Sequence, residues 1–149
     1  MALFQGTIEA DTLTAGPFGD IMFGIEGADS ILAVGGNDSL YGNLGADTMD
    51  GGAGDDVVYG GAEADTITGG SENDYVFGNT GDDSIAGDAG NDTLAGGQDS
   101  DSVDGGGGND YVMGGLGNDT IAGGDNNDSV FGGGDNDIIS GDDKIAILG

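Results

Sequence analysis

The sequence predicts an all-β fold, a parallel β-roll (β-solenoid) with two short parallel sheets, 18 residues per coil and about eight coils. Three observations predict it. A nine-residue unit with an Asp at its sixth position repeats fifteen times from Asp11 to Asp137, without an insertion or deletion. A glycine-rich turn precedes nearly every one of these Asp residues. Two residues after each Asp, from Leu13 to Ile139, stands an aliphatic side chain.

Each repeat offers a three-residue strand with one inward side chain, which is too little for an antiparallel hairpin sheet. Two strands and two turns instead close a coil, and each strand pairs in parallel with its equivalent one coil later, at about 4.8 Å. The turns then form two stacks, with odd repeats on one edge and even repeats on the other. One aliphatic residue in nine gives a thin core, so we expect bound metal to supply much of the folding free energy.

The whole chain, residues 1–149, is predicted to be one domain with three parts. Residues 1–23 form a degenerate N-terminal cap, because Glu9 and Phe18 replace turn glycines. Residues 24–140 hold the regular repeats. Residues 141–149 form a closing half-coil, in which Ala146 stands in place of the repeat Asp and Leu148 takes the inward slot.

The charge of the chain excludes several classes of function. The sequence has 36 Gly, 29 acidic residues, a single Lys or Arg (Lys144) and a formal net charge of -28. A disordered Gly/Asp tract shares this composition, but the unbroken aliphatic period argues against disorder. Nucleic acid and anionic membrane surfaces are excluded as partners because no basic patch exists, and no apolar run is long enough for membrane insertion. Without His or Cys, we expect neither an enzyme nor a zinc site.

Calcium is the predicted cofactor, because it accepts six to eight carboxylate and carbonyl oxygens in flexible geometry. An ion between stacked turns would take carboxylate oxygens from Asp residues one coil apart, such as Asp92 and Asp110, together with glycine carbonyls. We expect about ten or more ions per chain. The predicted carboxylate ligands are Asp29, Asp38, Asp47, Asp56, Asp65, Asp74, Asp83, Asp92, Asp101, Asp110, Asp119, Asp128 and Asp137. The predicted turn glycines are Gly51, Gly54, Gly105, Gly108, Gly114 and Gly117.

Five turns carry a residue other than glycine at the fourth position. Such a residue either adds a carboxylate to the site or spoils the backbone geometry, and the sequence leaves both outcomes open. The five residues are Glu63, Glu72, Asp99, Asn126 and Asp135.

The turns GGAGDD (residues 51–56), GGGGND (105–110) and GGLGND (114–119) resemble the GGxGxDxUx nonapeptide of RTX calcium-binding parallel β-rolls. The resemblance covers about nine tenths of the chain. It implies a protein that stays unfolded in the low-calcium cytosol and folds outside the cell. It also implies an extracellular or cell-surface location and export by type I secretion without a cleaved N-terminal signal.

The outward strand positions differ between the two predicted sheets. Odd repeats carry mainly Ser and Thr there, whereas even repeats collect large apolar side chains. Aromatic residues suit strands and stiffen a sheet by stacking, but their segregation also indicates an interaction surface. The predicted interface residues are Phe23, Tyr41, Tyr59, Tyr75, Phe77, Tyr111, Met113 and Phe131.

These features predict a secreted calcium-binding structural protein. It would assemble with itself, end to end or through the aromatic face, into an extracellular filament or surface layer, because the end strands of a solenoid template further pairing. A cell-surface partner is also possible for the aromatic face. The alternatives are a calcium-binding folding module that does not assemble and, from the Ser/Thr ladder, an ice-binding protein.

Overall fold

A computed structural model describes residues 1–141 and the two residues of a last short strand, 146–147. It confirms the predicted parallel β-solenoid of two sheets. Strands and turns make up the described part of the chain, and no helix there is long and apolar enough to cross a membrane. Lys144, Ile145 and Leu148 lie outside the described residues.

The strands alternate between the two sheets along the chain. The nine-stranded sheet contains β1 (Leu3–Gln5), β3 (Ile21–Glu26), β5 (Ser39–Leu44), β7 (Val57–Ala62), β9 (Tyr75–Thr80), β11 (Thr93–Gln98), β13 (Tyr111–Leu116), β15 (Ser129–Gly134) and β17 (Ala146–Ile147). The eight-stranded sheet contains β2 (Thr12–Thr14), β4 (Ser30–Leu32), β6 (Thr48–Ala53), β8 (Thr66–Ser71), β10 (Ser84–Ala89), β12 (Ser102–Asp104), β14 (Thr120–Ala122) and β16 (Ile138–Ser140).

Every strand from β1 to β16 pairs in parallel with the equivalent strand one coil away. Met22 lies opposite Leu40, and Leu40 opposite Val58, so the register advances by 18 residues per coil. The degenerate repeats keep this register, since Phe4 lies opposite Met22 and Leu13 opposite Ile31. Strict periodicity of the sequence therefore becomes strict stacking of the coils.

Most strands are longer than the predicted three residues. In β3 and β5 the ladder continues past the turn glycine, where Ile25 lies opposite Asn43 and Glu26 opposite Leu44. Stacked turns have the same shape, so their backbone N–H and C=O groups pair between coils as the strand groups do. This satisfies polar groups that a loop would leave to water.

The aliphatic ladder forms the core between the sheets. The predicted inward residues from Met22 to Val130 are all buried, which confirms the interpretation of that slot. Phe4, Leu13 and Ile139 pack against this core but are only partly buried.

All five turns with a non-glycine fourth residue keep the left-handed backbone conformation. The φ angles of Glu63, Glu72, Asp99, Asn126 and Asp135 lie between 73° and 86°. Substitution of glycine therefore does not change the shape of these turns. Ile25 differs from the other non-glycine residues at positive φ, which are Asn, Asp or Glu, because it is β-branched. Its φ of 94° is strained, at a cost of about 1–3 kcal/mol.

The last strand departs from the period. Val130 lies opposite Ile147 rather than opposite residue 148, so the final coil is one residue shorter than the others. The sequence period predicts Leu148 in this register, and the structure places Ile147 there instead.

Candidate metal centre

The turns direct the repeat Asp side chains into the interior at both edges of the rod. From Asp20 to Asp128 every repeat Asp is buried. Each carboxylate comes directly before a strand, where the coil above and the coil below cover it. A row of buried carboxylates is unfavourable unless hydrogen bonds and cations compensate the lost hydration.

One oxygen of each carboxylate is used by the coil below. Oδ1 of Asp74 accepts a hydrogen bond from the backbone N–H of Asp56 at 2.8 Å, and Oδ1 of Asp92 accepts one from Asp74 at 2.8 Å. The same bond recurs from one Asp to the next along both edges, as between Asp65 and Asp83 at 2.8 Å. No pattern in the sequence predicts this chain of bonds, which fixes the orientation of the carboxylates.

The second oxygen of twelve of these carboxylates is buried without a hydrogen-bond partner. Buried polar atoms in proteins are almost always hydrogen-bonded, so a repeated unpaired carboxylate oxygen fits a site for a cation. The buried unpaired atoms are the Oδ2 atoms of Asp29, Asp38, Asp47, Asp56, Asp65, Asp74, Asp83, Asp92, Asp101, Asp110, Asp119 and Asp128. Twelve of the thirteen predicted carboxylate ligands have this property.

At most of these turns, the first glycine lies close both to the unpaired Oδ2 and to a backbone carbonyl oxygen of the next coil. A methyl group on Gly24 would lie 2.3 Å from Oδ2 of Asp29 and 2.8 Å from the carbonyl oxygen of Gly42. Gly60 shows the same arrangement, with Oδ2 of Asp65 at 2.3 Å and the carbonyl oxygen of Gly78 at 2.8 Å. Glycine leaves this space open, and the oxygen donors that converge on it suit calcium.

The predicted turn glycines fall into two groups. Gly51, Gly105 and Gly114 open their turns, and a methyl group there would meet Oδ2 of the turn's own Asp at 2.3–2.7 Å. The others, Gly54, Gly108 and Gly117, have φ between 126° and 148°, and a methyl group would clash with backbone carbonyl oxygens of the coil below. Fourth-position glycines thus lie against the backbone of the coil below, and first-position glycines leave space at the carboxylate.

Three positions depart from the regular site. Asp137 accepts the N–H of Asp119 at 3.1 Å but is only half-buried. Ala33 opens the turn of Asp38 and brings a buried methyl group to the place of the usual glycine. The carboxylate of Glu72 accepts the N–H of Gly54 at 2.9 Å, one coil below. This extra acid thus ties two turns together.

The carboxylates are distributed singly rather than in clusters. Among the described residues, no three acidic side chains come together as a metal-binding group. A cation at any one turn therefore needs backbone carbonyl oxygens to complete its coordination. This agrees with the preference of the sequence for glycine, which lets the backbone come close.

Burial sets the electrostatics of the row. Loss of hydration raises the pKa of Asp56, Asp65, Asp74 and Asp101 to about 7, although a backbone hydrogen bond opposes the shift. The same cause raises the pKa of Asp47, Asp83 and Asp92 to about 6. Each ionised carboxylate is thus costly inside the fold unless a cation neutralises it.

Comparison with protein families agrees with this geometry. The RTX calcium-binding nonapeptide repeat (4 copies) matches residues 5–40, 23–58, 59–94, 77–112, 86–121 and 113–143. The chain belongs to this RTX family. Its repeats are calcium-binding motifs and its β-roll is a structural fold. A search of curated proteins found no match for the RTX chain.

The predicted aromatic residues lie on the outer face of the nine-stranded sheet. Four of them form a continuous stack, with ring centroids 4.8–5.3 Å apart from Phe23 through Tyr41 and Tyr59 to Phe77. Their ring faces contact one another, so the stack presents mainly ring edges outward. Tyr75 and Tyr111 are the most exposed of the set, at 53% and 41%.

Proposed function

We propose that this RTX chain is a secreted structural protein that folds on calcium into a rigid rod and then joins other copies end to end. The row of buried, unpaired Asp Oδ2 atoms carries the calcium part of the proposal. Divalent cations between the turns would satisfy these oxygens and offset the net charge of -28. The ligands are the thirteen Asp residues predicted from the sequence, each with carbonyl oxygens of its turn.

Calcium is favoured over other metals by the donors present. The site offers carboxylate and carbonyl oxygen, and the chain has neither His nor Cys. Magnesium needs a near-ideal octahedron and retains water, whereas calcium tolerates irregular sets of oxygen ligands at 2.3–2.6 Å. Stacked turns of fixed backbone shape fit the calcium requirement better.

Calcium titration followed by circular dichroism tests the folding step. In chelator we expect a largely disordered spectrum, because a row of buried carboxylates and a one-residue-wide core cannot compensate the conformational entropy. Millimolar calcium should produce β structure, and equal magnesium should produce much less. A β spectrum that is the same in chelator and in calcium would refute calcium-driven folding.

A calcium-dependent fold also fits the proposed location. The chain would remain unfolded in the low-calcium cytosol and fold only outside the cell. This suits type I secretion, which would export the chain in its unfolded state. Comparison of calcium-loaded protein in culture medium and in cell extract tests this. Folded protein in the extract but not in the medium would exclude it.

Assembly is proposed from the edge strands. In the described structure β1 and β2 each have one neighbour, so each leaves a row of backbone N–H and C=O groups for another strand. Sedimentation and electron microscopy with calcium should show linear oligomers, and chelator should disperse them.

Lateral association through the aromatic face is the second assembly mode. Replacing Tyr41, Tyr59 and Phe77 together with Ser should leave calcium-induced folding intact and reduce side-by-side association. Because the rings stack on one another, some loss of stability is also expected, at about 0.5–1.5 kcal/mol for each pair removed. Rods of unchanged width in electron micrographs would exclude this interface.

A further inference from the structure

A groove of about 440 Å³ lies on the nine-stranded sheet where β1, β3 and β5 meet their turns. Its walls are mainly apolar, and four side chains form them: Leu3, Phe23, Ile25 and Leu44. Three polar side chains complete the lining: Gln5, Glu26 and Asn43. None of these seven residues belongs to the calcium row.

The strain at Ile25 falls inside this groove. At the equivalent position, the later coils of the same sheet carry Gly or Asn, as at Asn43 and Gly61. Among the residues that the structure describes, only Ile25 is a β-branched residue at positive φ, with φ of 94°. Glycine would fit this position without strain, whereas Ile25 is strained there. The Ile25 side chain forms an apolar wall of the groove.

The groove also leaves large apolar side chains exposed to water. Leu3 is 65% exposed and Leu44 is 50% exposed. A partner that covers them would bury apolar surface. Because Glu26 adds a negative charge to the lining and the whole chain is strongly acidic, a suitable partner carries a cation next to apolar side chains.

We infer that the groove binds residues 144–148, Lys-Ile-Ala-Ile-Leu, of a second copy. Lys144 is the only Lys or Arg of the chain, and Ile145, Ile147 and Leu148 follow it directly. This segment therefore pairs one positive charge with three large apolar side chains. The groove offers the complement, Glu26 beside Leu3, Ile25 and Leu44.

The position of the groove fits the end-to-end assembly proposed above, on which this exchange depends. The groove includes β1, at one end of the nine-stranded sheet, and the segment includes β17, at the other end. Stacked rods bring these two ends together.

A labelled peptide of residues 142–149 tests the groove without requiring assembly. The receptor is the full chain with Lys144→Glu, in calcium, so that its own segment competes poorly. We expect saturable binding by fluorescence anisotropy, weakened about tenfold or more by Glu26→Lys or Leu44→Ala. Leu116→Ala is the matched control, because Leu116 is the third residue of its turn as Leu44 is, is 60% exposed, and lies outside the groove.

Ile25→Gly separates binding from folding. Glycine relieves the strain, so the variant should fold at a lower calcium concentration than the parent chain. It removes a wall of the groove, so the peptide should bind less tightly. Absence of peptide binding would overturn the inference. So would Ile25→Gly, Glu26→Lys and Leu44→Ala receptors that each bind the peptide as tightly as the receptor without these changes.

Exchange of the two charges tests the same contact in assembly. Glu26→Lys alone and Lys144→Glu alone should each shorten the oligomers seen by sedimentation, and the double variant should restore them. Oligomers unaffected by any of these changes would overturn the groove inference and leave end-to-end assembly standing. Peptide binding in a chain that never forms oligomers would overturn both the exchange between copies and the end-to-end assembly.

Discussion

The two edges of the rod have the same buried row of repeat Asp residues but differ in the exposed residue that precedes each Asp. At both edges the repeat Asp residues form the same chain of N–H to Oδ1 bonds. We call the edge that leads into the nine-stranded sheet the asparagine edge, because the residue before each Asp from Asp38 to Asp128 is Asn37, Asp55, Asn73, Asn91, Asn109 or Asn127. The opposite edge, the alanine edge, carries Ala28, Ala46, Ala64, Asp82, Ser100, Asn118 and Asn136 there.

The outer residues of the asparagine edge form a continuous ladder. The side-chain oxygen of Asn91 accepts the backbone N–H of Asn109 at 2.8 Å and its side-chain N–H at 3.1 Å. Asn91 donates both groups in the same way to Asn73, at 2.9 and 3.1 Å. The Asp55 carboxylate continues this ladder, and bonds from Asn73 hold the pKa of that carboxyl below its ordinary value.

The alanine edge has only a partial ladder. Ser100 donates to Asp82 at 2.9 Å, and Asn136 to Asn118 at 3.2 Å. Ala28, Ala46 and Ala64 have no side-chain group to contribute. One edge can therefore hold its coils together by neutral side-chain bonds as well as by cations, and the other depends more on cations. Four experiments, in order of decreasing expected effect, test how the two edges differ and what they share.

Loss of carboxylate charge should have the largest effect. Asn in place of Asp keeps an acceptor for the Oδ1 bond and removes the charge at Oδ2. We expect Asp47, Asp65 and Asp83→Asn, on the alanine edge, to raise the calcium concentration at half-folding by tenfold or more. The matched set on the asparagine edge, Asp56, Asp74 and Asp92→Asn, should raise it less. Circular dichroism measures both; an unchanged midpoint would show that Oδ2 binds no cation.

Acidification in chelator should affect both edges alike. The pKa of Asp65 on the alanine edge and of Asp74 on the asparagine edge is raised from 3.8 to about 7. The folded state therefore binds more protons than the unfolded state. Its stability is greatest below the unfolded pKa and is lost as the pH rises through the folded pKa.

The metal-free chain should accordingly gain β structure as the pH falls from 8 to 4, monitored by circular dichroism. The apparent calcium affinity should change in the opposite direction and rise from pH 6 to 8, because calcium binds the ionised carboxylates. A metal-free chain that loses structure on acidification would contradict the proposed burial of these groups.

Interruption of the asparagine ladder should have a smaller effect. Asn91→Ala removes the bonds that the Asn91 side chain makes to Asn73 and Asn109, and we expect a loss of about 1 kcal/mol in the free energy of unfolding. Asn118→Ala is the control on the alanine edge, where the bonds are longer, and should cost less. Urea unfolding in saturating calcium measures both. Equal losses would show that the edges do not differ in this way.

Extension of the ladder on the alanine edge should give the smallest change. Ala64→Asn would place an amide below the backbone N–H of Asp82, in the arrangement seen on the opposite edge. We expect an increase of about 0.5 kcal/mol in the free energy of unfolding, since a single exposed hydrogen bond contributes little. A decrease would mean that the turn at Ala64 cannot accept the side chain.

The sequence predicts the repeat, the coil length, the parallel register and the buried aliphatic slot. These follow from a strict nine-residue period, which admits one inward side chain per repeat. The thirteen Asp residues are also visible, because hard cations need oxygen ligands and the Asp spacing is fixed. Even the asparagine ladder has a visible signal, as Asn91, Asn109 and Asn127 are one coil apart.

Only the tertiary structure decides which oxygen of each Asp carboxylate accepts a backbone hydrogen bond and which one is left for a cation. Asp74 could have offered two oxygens to a cation, but one of them holds the backbone N–H of Asp56. That bond exists only when two residues one coil apart are stacked, so no local pattern encodes it. The same holds for the groove at Ile25, whose walls come from three neighbouring coils.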